Sequence, residues 1–183
     1  MKKSPLHMPC LLVVACCALL AAPAVAQLST TANGPYYAEP SWSQKLTTNR
    51  FVILANWNGE AVLDRETGLV WERSPDPFAK SWTEAQLHCN TRILGGRMGW
   101  RTPSIQELTS LLDPAILLPA PTSLPEGHPF LGDIVSSWSA TTSASDANHV
   151  WRVRFFDRLV ASVQKSSLIP VWCVRGATVA EVQ

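Results

Sequence analysis

Two cysteines, Cys89 and Cys173, constrain the fold of this chain more than any other residues. The sequence has five cysteines, but Cys10, Cys16 and Cys17 lie in an N-terminal segment with the pattern of a removable export signal. Removal of that segment leaves one pair, and an even number of cysteines in an exported chain indicates a disulfide. We therefore expect a bridge between the end of the domain and its middle, which favours a secreted binding module over a cytosolic enzyme.

Residues 1–26 contain the three parts of a signal peptide. Lys2 and Lys3 supply positive charge, Leu11 to Ala22 is apolar, and Ala24-Val25-Ala26 is a cleavage site of small residues. The apolar run is too short and too rich in alanine for a spanning helix, and no other stretch is long and apolar enough. We predict cleavage after Ala26 and export to the periplasm, the cell surface or the outside, with no stable membrane span.

A lipoprotein signal is the second interpretation of the same segment. Val13-Val14-Ala15-Cys16 resembles a lipoprotein cleavage box and would leave the protein anchored at Cys16. It would also leave a short apolar region before the cleavage site and an apolar start to the mature chain. Cleavage after Ala26 is therefore the better prediction.

Charge and length limit the function classes. Without Lys2 and Lys3, 13 of the 15 basic residues remain against 14 acidic ones, a net charge near −1. A nucleic-acid-binding protein would show a basic stripe or a high isoelectric point, so we expect no nucleic-acid partner. The remaining length fits one domain, which we place at residues 50–176, between a polar arm at 27–49 and a tail at 177–183.

Three short strands begin the predicted domain. Phe51 to Leu54, Ala61 to Leu63, and Leu69 to Trp71 are strand-like segments. Asn56 to Gly59 and Asp64 to Gly68 separate them, and both end in a glycine suited to positive φ. The pattern predicts an antiparallel meander.

A capping box marks the first predicted helix. Ser81 is followed three residues later by Glu84, the spacing in which each side chain bonds the other residue's backbone. The helix should run from Trp82 to about Asn90, with Cys89 on the inward face.

The second predicted helix precedes a long loop. Thr102 suits an N-cap and Pro103 the first helical position, so we expect a helix to about Leu112. The segment from Pro114 to Pro129 has little periodicity and is rich in proline. It predicts a long surface loop, either functional or a simple insertion.

The C-terminal part of the sequence is strand-rich. Ser136 to Thr142, Val150 to Phe156 and Leu159 to Val163 are strand-like, and Val171 to Arg175 is the final predicted strand. The polar segment from Ser143 to Asn148 should connect the first two of these strands.

Six sequence motifs in this order resemble a known bacterial family. Together they are similar to the domain at the C-terminus of the Legionella collagen-like adhesin, the Lcl C-terminal domain, over roughly Arg50 to Gly176. The motifs are Asp64-x-x-Thr67-Gly68-Leu69-x-Trp71, Trp82-x-x-Ala85 leading to Cys89, Gly99-Trp100-Arg101-x-Pro103-x-x-x-Glu107-Leu108, Ser137-Trp138-Ser139-x-Thr141-Thr142, Trp151-x-Val153-x-Phe155 and Cys173-Val174-Arg175-Gly176.

This resemblance implies an α+β fold of the C-type lectin-like type. In that fold, two helices flank a small, twisted, mostly antiparallel sheet with long loops. A disulfide from the first helix to the last strand is a regular feature of the fold, and Cys89 and Cys173 fall at those places.

Calcium binding is not expected. The Glu-Pro-Asn or Gln-Pro-Asp and Trp-Asn-Asp motifs of calcium-dependent lectins do not occur. A calcium site needs six to eight oxygen ligands. Asp146, Asn148 and Asp157 could contribute oxygens, but no spacing in the sequence requires it.

Zinc and catalytic sites are not expected either. His88, His128 and His149 lack paired ligand spacing, and His88 is interpreted as a helix-surface residue. Ser139, His149 and Asp157 contain the residue types of a catalytic triad, but the G-x-S-x-G motif is absent. We therefore expect no enzyme activity, metal or cofactor.

The predicted ligand-binding surface is the loop from Ser143 to His149 together with the adjoining strand. Asn148 and His149 lie at the loop end, and Arg152 and Arg154 share one strand face, where they could meet a sulfate or carboxylate. A solvated strand face is the alternative. The expected function is adhesin-like, non-catalytic binding of an extracellular glycan, glycosaminoglycan or matrix ligand. The alternative is a structural envelope protein that binds another envelope protein.

Overall fold

The computed structural model describes residues 50–118, 120–133 and 135–176. The predicted signal peptide, polar arm and C-terminal tail lie outside these residues. The described part contains a 3-10 helix (Ala55–Trp57), two α-helices, α1 (Trp82–Thr91) and α2 (Ile105–Ser110), and seven strands, β1 (Phe51–Ile53), β2 (Ala61–Asp64), β3 (Val70–Glu72), β4 (Ser136–Thr142), β5 (His149–Arg154), β6 (Val160–Gln164) and β7 (Val174–Arg175).

The strands form two small antiparallel sheets, which confirms the α+β class. One sheet has the strand order β1-β2-β3-β7 and the other β4-β5-β6. A single sheet was expected. The strands divide because β7 pairs only with β3 of the N-terminal meander, whereas β4, β5 and β6 pair among themselves.

The N-terminal meander follows the prediction. Val62 of β2 lies opposite Trp71 of β3 in antiparallel register. The first connection contains the 3-10 helix, after which Asn58 and Gly59 both take positive φ, 55° and 68°. These two residue types adopt that conformation at low cost, which explains the Asn-Gly pair in the sequence.

Gly95 permits a close approach between the loop after α1 and the meander. Its φ is 56°, and a Cβ at this position would overlap the backbone and Cβ of Trp57. The Gly95 N–H also donates a hydrogen bond to the Glu60 carboxylate. Any larger residue would therefore separate this loop from the meander.

The capping box of α1 is confirmed. The Ser81 N–H donates to the Glu84 carboxylate at 2.9 Å, and the reciprocal bond to the Ser81 side chain is also present. Ala85 and Cys89 are fully buried, as the predicted inward face requires.

Helix α2 begins later than predicted. Its N-cap is Ser104, not Thr102, and the Ser104 hydroxyl accepts a hydrogen bond from the Glu107 N–H at 3.2 Å. Ser104 and Glu107 form a second capping box, which outweighs the Thr-Pro signal. The Pro103 carbonyl instead accepts a hydrogen bond from the Ala140 N–H at 2.7 Å, which ties the segment before α2 to β4.

Tryptophan side chains dominate the core. Trp57, Trp71, Trp100, Trp138 and Trp172 are buried among the described residues. The ring of Trp172 lies 4.7 Å from that of Phe130, and its Nε1–H donates to the Glu72 carbonyl at 2.7 Å. Each buried indole contributes a large apolar area to the core. Trp100, Trp138 and Trp172 each donate the indole N–H to a backbone carbonyl, whereas Nε1 of Trp71 is buried without a hydrogen-bond partner among the described residues.

The proline-rich segment is more deeply packed than a surface loop. Leu124 is buried in the core cluster that contains Trp172, as is Phe130 immediately after the segment. The Arg158 guanidinium donates to carbonyls of the same segment, including that of Pro114 at 3.0 Å. Part of this segment therefore contributes to the core.

The expected disulfide joins Cys89 and Cys173, and both residues are fully buried. Cys89 lies on α1. Cys173 immediately precedes β7, which is shorter than the predicted final strand. The bridge closes a sequence separation of 84 residues and links α1 to the sheet of β3 and β7.

Candidate functional site

The loop before β5 is organised around Asp146. Its carboxylate accepts a hydrogen bond from the Asn148 N–H at 2.8 Å, and its other oxygen lies 2.7 Å from Nδ1 of His149. The Ser143 N–H donates to the His149 carbonyl at 2.9 Å and closes the loop. The hydrogen bond from Asn148 lowers the pKa of Asp146, and His149 lowers it further. Asn148 and His149 are thus held in a defined turn.

Arg154 is already paired. Its guanidinium forms an ion pair with Asp157, in which Nε donates to the carboxylate at 3.2 Å. Its Cζ also lies 4.9 Å from the centroid of the Phe156 ring. Most of the positive charge of Arg154 is therefore neutralised by Asp157 within the same hairpin.

Arg152 forms no ion pair with any described residue. One terminal nitrogen donates a long hydrogen bond of 3.3 Å to the Ser136 hydroxyl, and Nε is buried with no partner in the described ranges. Burial lowers the pKa of Arg152, and the positive charge of Arg154 lowers it further. Of the four predicted site residues, Arg152 has the greatest unused capacity to bind an anion.

A shallow cleft of about 150 Å³ lies beside Ser136, the hydrogen-bond partner of Arg152. Asp76 and Asp133 both line it, so its interior is not suited to an anion. The lining residues are Ser74, Pro75, Asp76, Pro77, Leu131, Gly132, Asp133, Ser136, Pro170, Val171 and Trp172.

The residues of the conceivable triad bind other groups. The Ser139 hydroxyl donates to the Trp151 carbonyl at 2.6 Å, and Asp157 pairs with Arg154. The carboxylate beside His149 belongs to a different residue, Asp146. The structure therefore does not assemble the three groups into a hydrogen-bonded array.

Arg101 and Glu107 hold the end of the domain to α2. Two guanidinium nitrogens of Arg101 donate to the Glu107 carboxylate at 2.8 and 2.6 Å, a bidentate pair. Arg101 also donates to the Gly176 carbonyl at 2.7 Å. A second cleft, of about 200 Å³, lies beside Arg101, but this pairing already uses the positive charge there.

A buried polar cluster next to the disulfide was not anticipated from the sequence. His88, which was predicted to be a helix-surface residue, is partly buried, with its side chain 17% exposed. Nε2 of His88 and Oε2 of Glu72 are both buried without a hydrogen-bond partner among the described residues. Burial raises the pKa of Glu72, opposed by the hydrogen bond from Arg92. Burial lowers the pKa of His88, and Arg92 lowers it further.

Sequence spacing carried no signal for this cluster. Glu72 belongs to β3, His88 to α1, and the nearby Cys173 to the segment before β7. Metal-ligand patterns are found by short spacings between ligands, and these three residues come together only through the tertiary fold. The proximity of His88 to Cys89 in the sequence was the one available hint.

Comparison with known proteins identifies a family. Residues 60–175 match the family model of the Lcl C-terminal domain. This match confirms the resemblance indicated by the six sequence motifs. No curated protein matches the chain. Within the described residues, no helix combines the length and apolar character needed to cross a membrane.

Proposed function

We propose that this chain, which belongs to the Lcl C-terminal domain family, is an exported, non-catalytic binding module for an anionic extracellular glycan or matrix ligand. The observation that carries the proposal is Arg152, a partly buried cation without a carboxylate partner among the described residues. It lies on the same strand face as Arg154 and next to an ordered polar loop.

Binding of an anionic oxygen would satisfy donors that the protein leaves poorly used. A buried donor without a partner costs about 1–3 kcal/mol. A sulfate or carboxylate oxygen would replace the long bond from Arg152 to the neutral Ser136 hydroxyl with a hydrogen bond in which both groups are charged. Arg154 would add long-range attraction even while it remains paired with Asp157.

We also propose a C-type lectin-like fold for this domain. Two helices, small antiparallel sheets and a disulfide from α1 to the residue before β7 support this assignment. Fold alone does not determine function, so the binding proposal depends on Arg152 and its surroundings. No metal enters the proposed binding mode, because the anion would be held by guanidinium and loop donors.

Export is supported by the signal-peptide pattern of residues 1–26 and by the buried disulfide. Disulfides persist in oxidising compartments such as the periplasm and the cell exterior. The cell exterior would suit a module that meets extracellular polymers. Fractionation of cells that express the full chain would distinguish the periplasm, the surface and the medium.

A second candidate function is favoured by the proline-rich segment. Leu117 is 87% exposed, and its neighbour Leu118 is partly exposed. These two neighbouring leucines would offer an apolar surface to another protein, which suits a structural component of the envelope. Replacement of Leu117 by Ser should then release a co-purifying envelope protein while glycan binding stays unchanged.

The test of the primary proposal is a calorimetric titration of the oxidised protein with a heparin oligosaccharide. The desulfated oligosaccharide serves as the ligand control. We expect saturable binding that requires sulfate and is lost in the Arg152→Ala/Arg154→Ala double variant. Arg65→Ala, which removes an exposed cation elsewhere, should bind like the parent protein. Equal loss in Arg65→Ala would point to non-specific charge attraction and would contradict the proposed site.

A further inference from the structure

Three segments that are distant in sequence bring potential metal ligands together beside the disulfide. A carboxylate oxygen of Glu72, a ring nitrogen of His88 and Sγ of Cys173 all lie within 4.8 Å of one another. The second sulfur, that of Cys89, is bonded to Cys173. The cluster thus joins β3, α1 and the segment before β7 at one buried point.

Two of these groups have unused binding capacity. Within the part of the chain that the structure describes, Oε2 of Glu72 and Nε2 of His88 are buried and have no hydrogen-bond partner, and Glu72 as a whole is only 1% exposed. Native proteins leave few buried polar atoms unsatisfied, and such an atom in a native structure calls for an explanation. A group that binds both atoms would provide one.

We propose that reduction of the Cys89–Cys173 disulfide converts this cluster into a structural Zn²⁺ site with Cys89, Cys173, His88 and Glu72 as ligands. A dithiol reductant would supply two electrons and two protons and would itself become a disulfide. The two thiols formed on the protein would release their protons to solvent as the thiolates bind Zn²⁺.

The ligand set matches the chemistry of zinc. Zn²⁺ binds thiolate, imidazole and carboxylate in a tetrahedron, with bonds of about 2.3 Å to sulfur and about 2.0–2.2 Å to nitrogen and oxygen. Such bonds place neighbouring ligand atoms about 3.3–3.8 Å apart. The present cluster therefore needs to contract by about 1 Å, and the two sulfurs need to separate once their bond is broken.

Surrounding charges also suit a divalent cation. Arg92 donates to Oε1 of Glu72 at 3.0 Å through Nε and leaves Oε2 available. Two thiolates and the Glu72 carboxylate, offset by Arg92, leave two negative charges for Zn²⁺ to neutralise. A carboxylate oxygen of Asp76 lies 3.8 Å from Nδ1 of His88. A carboxylate commonly orients a metal-binding histidine from the ring nitrogen that does not bind the metal.

Zinc would preserve the connection that the disulfide provides. Both would link α1 to the segment before β7, the disulfide under oxidising conditions and the metal under reducing ones. The site has four protein ligands, which is the composition of a structural rather than a catalytic zinc site.

Co²⁺ is the spectroscopic probe for this proposal. The protein is reduced with a phosphine, which takes oxygen from water to become a phosphine oxide and introduces no competing thiol. We expect the reduced protein to bind one Co²⁺ with thiolate-to-cobalt charge transfer and tetrahedral d–d bands, and the oxidised protein to show neither. Zn²⁺ should displace the Co²⁺ and abolish both signals.

Variants separate the four-ligand site from a simple pair of thiols. His88→Ala and Glu72→Gln should each weaken binding at least tenfold, whereas Glu126→Gln, at an exposed position, should bind like the parent protein. Unchanged affinity in both ligand variants would overturn the proposal, since the cysteines alone would then suffice. Equal binding by the oxidised protein would also overturn it.

Folding of the reduced protein provides a second readout. If the reduced protein unfolds without metal, one equivalent of Zn²⁺ should restore its far-ultraviolet circular dichroism and protect both thiols from alkylation. Failure of Zn²⁺ either to bind the folded reduced protein or to refold the unfolded one would contradict the proposal.

Discussion

Loss of the Cys89–Cys173 disulfide is expected to remove a large part of the stability of the domain. The bridge closes a separation of 84 residues between α1 and the residue before β7. The perturbation is reduction of the oxidised protein in the presence of a metal chelator, so that no metal can replace the bridge.

The size of the effect follows from the loop length. In the chain-entropy treatment, closing a loop of this length lowers the conformational entropy of the denatured ensemble by about 15 cal/mol/K. This raises the free energy of the denatured state by about 4–5 kcal/mol at 25 °C. Small domains are stable by about 5–15 kcal/mol in total. The reduced, metal-free domain should therefore be marginally stable.

Urea denaturation followed by tryptophan fluorescence measures this difference directly. The free energy of unfolding in water is compared for the oxidised protein and the reduced protein with chelator. The double variant Cys89→Ala/Cys173→Ala is the control, because it lacks both the bridge and the thiols. It should be destabilised by an amount close to that of the reduced protein.

A loss below about 1 kcal/mol in both samples would refute the reasoning. It would mean that the denatured chain is already held compact without the bridge, so that closure of the loop removes little entropy. A large loss on reduction but a small one in the double variant would instead assign the cost to buried thiols.

Three further predictions concern local structure. Gly95→Ala should destabilise the domain by at least about 2 kcal/mol more than Gly96→Ala in urea denaturation, because both have positive φ but only Gly95 lacks room for a Cβ. Ser104→Ala should lower the free energy of unfolding by about 1 kcal/mol through loss of the N-cap. Thr102→Val should lower it little, because the Thr102 hydroxyl is buried without a partner among the described residues. The reverse order of the two losses would contradict the observed start of α2. The pKa of Asp146, measured by carbon-13 NMR titration, should lie below 3.8. The contribution of this carboxylate to stability should be present above pH 3.8 and lost as the pH falls through the folded-state pKa. A pKa at or above 3.8 would contradict the hydrogen bonding of the loop.

Local sequence signals predicted local structure well. The Ser81 and Glu84 pair located the start of α1, and the Asn58-Gly59 pair located the first turn of the meander. Each signal acts through contacts between residues a few positions apart, so it depends little on the structure of the rest of the chain. The family motifs and the cysteine count likewise predicted the disulfide.

Competing local signals account for the error at α2. Thr102 and Pro103 form one plausible helix start. Ser104 with Glu107 forms a second one, which begins two residues later. The second forms two reciprocal hydrogen bonds, whereas an N-cap at Thr102 would supply at most one. Tertiary pairing decided the outcome, because the Pro103 carbonyl bonds to the Ala140 N–H of β4.

Long-range features could not be derived from the sequence. The division of the strands into two sheets depends on which edge of the meander β7 joins. The burial of Leu124 and the proximity of Glu72 to His88 also depend on the complete fold. The candidate binding residues stay a prediction, and only the structure distinguishes the paired Arg154 from Arg152, which lacks an ion pair with the described residues.

The most direct test of the binding-module account is a glycan and glycosaminoglycan array probed with the oxidised protein, with calcium and with a chelator. The account predicts saturable binding to sulfated or carboxylated glycans that survives the chelator and disappears in the Arg152→Ala/Arg154→Ala variant. A blank array from folded, disulfide-bonded protein would contradict the account and favour the envelope-assembly function.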